Sequence, residues 1–113
     1  MARHILLVQT NAIAGMEREF NDWYSNTHLR DIIAIPGFVA AQRFERSEVR
    51  RFPDTPVYPY RYLATYEIEG DVREAFDNLN AAASGPNPIP ITPALEQQRT
   101  AYAFTPITER ITR

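Results

Sequence analysis

Hydrophobic and polar positions change their period several times along the chain, and each change marks an element. A short run of branched apolar residues at 4–10 (HILLVQT) predicts a first strand. From Met16 the apolar positions recur at helical spacing, with charged residues between them. This helix is expected to weaken near Asn26 and to end before Pro36 and Gly37, a strong helix-breaking pair.

In the rest of the chain the apolar positions alternate with polar ones in some segments and recur at helical spacing in another. Asp71 is placed to cap a helix whose apolar stripe runs from Val72 to Ala82. A charged segment at 47–59 with three prolines predicts a loop. Alternating apolar positions predict three further strands, at 38–46, 60–68 and 100–107.

The resulting order β-α-β-β-α-β predicts an α+β, ferredoxin-like fold, with a four-stranded antiparallel sheet that carries both helices on one face. A length of 113 residues fits one domain spanning 1–113. A bare second face would expose an apolar patch large enough to be an interface, so we expect a homodimer through the sheet. The aromatic residues on the predicted strands are Phe38, Phe44, Tyr60, Tyr62, Tyr66, Tyr102 and Phe104.

Composition narrows the classes of function. The net charge is −2 and the positive charges, all arginine, are scattered, which argues against nucleic acid as a partner. The absence of cysteine excludes disulfides, thiol nucleophiles and cysteine-ligated metals. The apolar run at 5–8 is too short for a signal peptide or a membrane span, so we expect a cytoplasmic protein with no membrane partner.

Two stretches, DWYSNTHL at 22–29 and IPGF at 35–38, resemble the dimeric α/β-barrel superfamily, in particular its EthD-like branch (ethyl tert-butyl ether degradation-type proteins). In those sequences a first helix ends in an aromatic-rich segment, a histidine follows, and a PGF-type turn leads into the second strand. RYLATYEIEG at 61–70 and the helix at 72–83 also sit where that family has them. The resemblance therefore spans nearly the whole chain and implies pairing into a dimeric α/β barrel.

The resemblance implies a fold rather than one reaction. The superfamily includes muconolactone isomerases, polyketide cyclases, cofactor-free monooxygenases and haem-dependent peroxidases. Its haem-dependent members are much longer chains, so we expect no cofactor here, haem included. A metal site is not expected either, because no pair of histidines stands at metal-ligand spacing.

His28 is the first candidate catalytic residue. An ordinary histidine pKa near 6.5 suits proton transfer at neutral pH, and His28 follows the helix at the lip of the expected pocket. Tyr24 could polarise a substrate oxygen, and Asp31 could orient the His28 ring. The alternatives are a histidine that caps the helix C-terminus and a solvated Asp31 paired with Arg30.

The expected substrate-binding residues are aromatic or amide side chains around the same pocket. Tyr62, Tyr66 and Tyr102 are expected to share one sheet face. For each aromatic residue a place in the core or in the dimer interface is the alternative. The whole set is Trp23, Gln9, Gln42, Tyr62, Tyr66, Tyr102 and Phe44.

These residues suggest a cofactor-independent enzyme that acts on a small hydrophobic metabolite by acid/base proton transfer. Isomerisation, dehydration or cyclisation in a catabolic or secondary-metabolite pathway would fit. Two alternatives stay open: a non-catalytic accessory protein that binds a small ligand, and a cofactor-free monooxygenase. Convergence of His28 and a tyrosine hydroxyl on one cavity would favour the enzyme.

Overall fold

The computed structural model of the protein describes residues 3–113. The first helical unit is continuous from residue 17 to residue 33, so the weakening expected near Asn26 is a change of helix type and the helix does not end there. The elements in chain order are β1 (His4–Thr10), α1 (Glu17–Trp23), a π-helical turn (Tyr24–His28), α2 (Leu29–Ile33), β2 (Phe38–Glu45), β3 (Tyr62–Ile68), α3 (Val72–Ser84) and β4 (Thr100–Phe104).

The four strands form one sheet in the order β2-β3-β1-β4, and every neighbouring pair is antiparallel. This confirms the predicted α+β, ferredoxin-like arrangement. Alternate residues of β3 are buried under the helices, together with Leu6 and Thr10 of β1. The inner face of the sheet packs against Phe20, Ile32 and Ala75 of the helical layer.

The strand register sorts the predicted aromatic residues onto two faces. Tyr66 pairs with Leu6, whereas Tyr102 pairs with Leu7. Successive residues of a strand point to opposite faces, so Tyr102 lies on the outer face, away from Tyr62 and Tyr66. The expectation that these three tyrosines share one face is therefore wrong.

Gly37 fixes the junction between the first helical unit and β2. Its φ is +103°, and a Cβ atom there would lie 2.9 Å from the Cβ of Ala75 in α3. Only glycine meets both conditions without strain. The predicted cap of α3 is confirmed, because the Asp71 carboxylate accepts a hydrogen bond of 3.2 Å from the backbone N–H of Glu74.

Two long segments connect the elements. The predicted loop at 47–59 is confirmed and is exposed throughout. Residues 86–99 contain no helix and no long strand, and they cross the connection between β1 and α1. The backbone N–H of Ile13 donates to the Ala94 carbonyl at 2.7 Å, and that of Glu96 donates to the Asn11 carbonyl at 3.0 Å. This segment is thereby held beside the inner face of the sheet.

Within the described residues, the helices are too short and too polar to cross a membrane.

Candidate functional site

A cavity of about 370 Å³ lies between the inner face of the sheet, the first helical unit, α3 and the 86–99 segment. Its volume is in the range of small-molecule sites, and most of its wall is apolar. A wider depression of about 600 Å³ along the 46–61 loop contains none of the predicted site residues. The cavity is lined by Leu6, Val8, Thr10, Trp23, Tyr24, His28, Ile32, Tyr66, Leu79, Asn80, Ala83, Ile89, Ile91, Leu95, Arg99, Thr100 and Ala101.

The π-helical turn brings three rings together at the cavity wall. Residues five apart in an α-helix are rotated by about 140° from each other, so their side chains do not meet. A π turn has more residues per turn, which reduces this angle, so the rings of Trp23 and His28 stack with centroids 4.4 Å apart. Tyr24 lies edge-on to His28, with centroids 5.0 Å apart.

These rings set the charge state of His28. Burial lowers the pKa of His28 to about 4, Asp31 opposes this shift, and the positive charge of Arg99 adds to it. The imidazole is therefore neutral at pH 7, and the expectation that it titrates near neutrality is wrong because Trp23 and Tyr24 shield it from water. The helix-cap alternative is also wrong, because α2 continues directly after His28.

Asp31 lies close to His28 but forms no hydrogen bond with it. Its Oδ2 and the Nδ1 of His28 are both buried, and neither has a hydrogen-bond partner among residues 3–113. In the same part of the chain Asp31 forms no ion pair with Arg30, and Asp31 does not line the cavity. Its role in orienting the ring stays a prediction.

The hydroxyl groups of Tyr24 and Tyr66 meet inside the fold. Tyr66 donates to Tyr24 at 3.1 Å, and both side chains are buried. Burial raises the pKa of Tyr24, against the opposing effects of the Tyr66 hydrogen bond and the charges of Arg43 and Arg99. Burial, with Tyr24 beside it, raises the pKa of Tyr66 as well. Both phenols therefore stay protonated at neutral pH, and Tyr24 keeps its own proton while it accepts from Tyr66.

Arg43 holds the π turn against the sheet. Its guanidinium carbon lies 4.6 Å from the centre of the Tyr24 ring, and its nitrogens donate to Ser25 Oγ at 2.8 Å and to Asn21 Oδ1 at 2.9 Å. No carboxylate of the described chain forms an ion pair with it, so these contacts and the ring faces stabilise its charge. Arg43 was not among the predicted site residues, and its omission has a structural cause.

A β-bulge explains that omission and two wrong predictions. The register of β2 shifts between Phe38 and Ala40, so a strict alternation counted from Phe38 places every later residue on the wrong face. Gln42 and Phe44 consequently lie on the outer face, away from the cavity, and Arg43 lies on the inner face.

Three other predicted residues also lie away from the cavity. Gln9 belongs to the outer face, where its amide donates to the Tyr58 hydroxyl and accepts from Thr100 Oγ1. Tyr62 is buried on the inner face beside α1, where its hydroxyl accepts from the Asn21 amide at 3.2 Å. Tyr102, on the outer face, is exposed.

Four of the predicted residues do line the cavity together, Trp23, Tyr24, His28 and Tyr66. The rest of the wall was not predicted and comes from β1, α2, α3, the 86–99 segment and β4. Leu79 could have been found, because it falls on the apolar stripe of the α3 helix. Arg99 carried no signal, since a lone arginine before a strand is ordinary.

No protein-family model matches the chain, and no curated protein matches it significantly. Solved structures do match. The heme-degrader MhuD from Mycobacterium tuberculosis, with two hemes bound in its active site, matches with a TM-score of 0.62 at 17% identity, over 95% of this chain and 98% of that one. HapK from Hahella chejuensis matches with a TM-score of 0.50 at 16% identity, over the whole of both chains.

The match to MhuD corrects one expectation about chain length. MhuD is nearly as long as this chain and holds haem, so a haem-binding chain of this fold need not be much longer. At these identities the likeness shows the fold alone. Membership of the dimeric α/β-barrel superfamily and of its EthD-like branch stays a prediction.

Proposed function

We propose that the protein is an enzyme that binds a small, largely apolar metabolite in this cavity and moves a proton on it without a cofactor. The observation that carries the proposal is that His28 and Tyr24 both line one mostly apolar cavity. An apolar wall excludes water, which strengthens the hydrogen bonds and charges inside it.

The chemistry follows from the charge states of the two groups. His28 is neutral, so it can accept a proton from an acidic C–H group of the ligand. Tyr24 keeps its proton, so it can donate to the ligand oxygen on which negative charge develops. The Tyr66 hydroxyl donates to the Tyr24 hydroxyl and stabilises it in this role. Return of the proton to another carbon completes an isomerisation. Return of the proton from His28 to a departing hydroxyl group, which leaves as water, completes a dehydration.

A weakly basic imidazole is compatible with this role. The pKa of about 4 belongs to the empty cavity, where burial opposes the charged form of His28. In the reaction an anionic intermediate forms beside the imidazolium. Opposite charges in contact stabilise each other, and this favours proton transfer to His28 at the stage where it is needed.

Haem fits this cavity poorly. His28 is the only histidine on the wall, and a neutral imidazole is the form that binds iron. However, about 370 Å³ is too little room for a tetrapyrrole with its side groups. A haem titration followed by the Soret band serves as a control.

Hydrogen exchange at carbon tests the proposal before the substrate is known. The protein is incubated in D₂O with a panel of small cyclic enones and unsaturated lactones, neutral and carboxylated, and the loss of α-proton signals is followed by NMR. We expect accelerated exchange for at least one compound. His28→Gln should slow that exchange about 100-fold or more, as removal of a general base does.

Control variants separate catalysis from binding. His4→Gln removes the other histidine, which lies outside the cavity, and should leave exchange unchanged. Tyr24→Phe should slow exchange while it preserves binding. Compounds that bind without any exchange would support the accessory-protein alternative, and oxygen consumption with a bound compound would support the monooxygenase. Full exchange activity in His28→Gln contradicts the proposal.

A further inference from the structure

The charge on the cavity wall is of one sign, positive. Among residues 3–113, no aspartate or glutamate lines the cavity, and His28 is neutral there. Arg99, at the end of the 86–99 segment, is the one lining residue of this described range with a full charge at pH 7. An apolar cavity with a single positive charge selects against cations and favours an anionic ligand.

The guanidinium of Arg99 is available to a ligand. The ion pairs of the described chain involve Arg3 and Arg61, and Arg99 takes part in none of them or in any side-chain hydrogen bond there. Its side chain is exposed at the cavity rim. Arg43, by contrast, is occupied by Asn21 and Ser25 and lies outside the cavity wall.

The charge of Arg99 also reaches the reacting groups. After burial, Arg99 contributes to lowering the pKa of His28, and it opposes the rise in the pKa of Tyr24. Arg99, His28 and Tyr24 line the same cavity, so a ligand that touches His28 can also place an anionic group against Arg99.

We propose, resting on the proton-transfer function above, that the substrate is a small carboxylic acid with an apolar body, and that Arg99 binds its carboxylate. A guanidinium matches a carboxylate with two parallel hydrogen bonds, which fixes orientation as well as charge. Neutralisation of Arg99 by the ligand would also remove its lowering effect on the pKa of His28. The bound substrate thus makes His28 a stronger base.

A matched pair of probes tests this inference directly. Cyclohexanecarboxylate and cyclohexanecarboxamide share shape and size and differ in charge. Binding is followed by the fluorescence of Trp23, the only tryptophan of the chain, which lines the cavity, and is checked by calorimetry. We expect the carboxylate to bind about 10-fold or more tightly at low salt, and this preference to shrink as salt is added.

Three variants assign the preference to one side chain. Arg99→Gln should bind both probes equally, and Arg99→Lys should keep part of the preference because a point charge remains. Arg73→Gln, on the exposed surface of α3 and outside the cavity, should behave as the parent protein. The melting temperature of each variant confirms that it is folded.

Each remaining outcome overturns the inference. Equal binding of acid and amide by the parent, an undiminished preference in Arg99→Gln, or no binding of either probe in the millimolar range would each do so. Its failure is distinguishable from failure of the proposed function. If neutral compounds exchange through His28 while Arg99→Gln changes nothing, the proposed enzyme activity is supported and the proposed anionic substrate is refuted. If Arg99 selects the carboxylate and no compound exchanges, the proposed carboxylate site is supported and the proposed enzyme activity is refuted.

Discussion

The imidazole of His28 stacks on the indole of Trp23, with ring centroids 4.4 Å apart and a tilt of 24°. The two residues are five positions apart in one helical unit, and a π turn makes this contact. One face of the imidazole is therefore covered by an aromatic ring, and this contact contributes to its burial. The ionisation of His28 should depend on this neighbour.

Replacement of Trp23 should restore part of the normal ionisation of His28. Trp23→Leu uncovers one face of the imidazole to water, so we expect the pKa of His28 to rise from about 4 towards 6.5. The His28 ring signals in an NMR titration report this pKa. Phe52→Leu, in the exposed 47–59 loop, serves as the matched control and should not move it. An unchanged pKa in Trp23→Leu would show that Trp23 does not desolvate the ring.

The free energy of unfolding should decrease as the pH is lowered through a window set by His28. Its pKa is about 6.5 when unfolded and about 4 when folded, so between these values the unfolded chain binds a proton that the folded chain does not. The contribution is therefore fully present above pH 6.5, falls as the pH drops, and levels off below about 4.

Denaturation series of the parent and of His28→Gln isolate this effect, because the two proteins differ only in the side chain at position 28. The free energy of unfolding of the parent should drop relative to the variant by up to about 3 kcal/mol across the window. Parallel curves for the two proteins would contradict the lowered pKa. His4→Gln should track the parent throughout.

The hydrogen bond between Tyr66 and Tyr24 should act as a coupled pair. Removal of either hydroxyl leaves the other buried with its partner lost, so each single change to phenylalanine should cost about 1–2 kcal/mol of unfolding free energy. The double variant should cost less than the sum of the two. Urea denaturation measures all three, and Tyr102→Phe, whose hydroxyl is exposed, should cost almost nothing. Strict additivity would rule out the coupling.

The outer face of the sheet should hold a second copy of the chain. Phe44, Tyr102 and Phe104 lie there and are 43%, 65% and 55% exposed, a large apolar area for one protomer. We expect sedimentation at low micromolar concentration to give twice the chain mass. Phe104→Glu should give folded monomers, because it buries an unpaired charge at the interface. Val49→Glu, in the exposed loop, should remain dimeric, and a folded monomeric parent protein would refute the pairing.

The order of elements could be predicted because each has a clear period and clear ends. Asp71 indicates the start of α3, and Pro36 with Gly37 indicates the end of the first helical unit. The faces of β2 could not be predicted, because one bulged residue reverses the alternation and leaves no mark in the composition. Gln42 and Phe44 were misplaced for that reason alone.

The site could be predicted where it lies on a helix and not where it lies on an irregular segment. The spacing of Phe20, Tyr24 and His28 on one helical face is enough to bring His28 inward. The lowered pKa of His28 depends on tertiary packing, which a single sequence does not reveal. Arg99 reaches the cavity only because distant backbone contacts tether the 86–99 segment beside the sheet.

That tethered segment has a consequence for how the protein can change over evolutionary time. Ile89, Ile91, Leu95 and Arg99 come from one contiguous stretch, and none of them belongs to a helix or to a strand of the sheet. Prolines at 86, 88, 90 and 93 stiffen that stretch, so its shape costs little chain entropy to fix. Exchange of this one segment would alter which ligand fits while it leaves the Trp23–His28 stack in place. The segment that shapes the ligand space and the helical unit that holds His28 thus lie in separate parts of the chain, and the charge of Arg99 is the link between them.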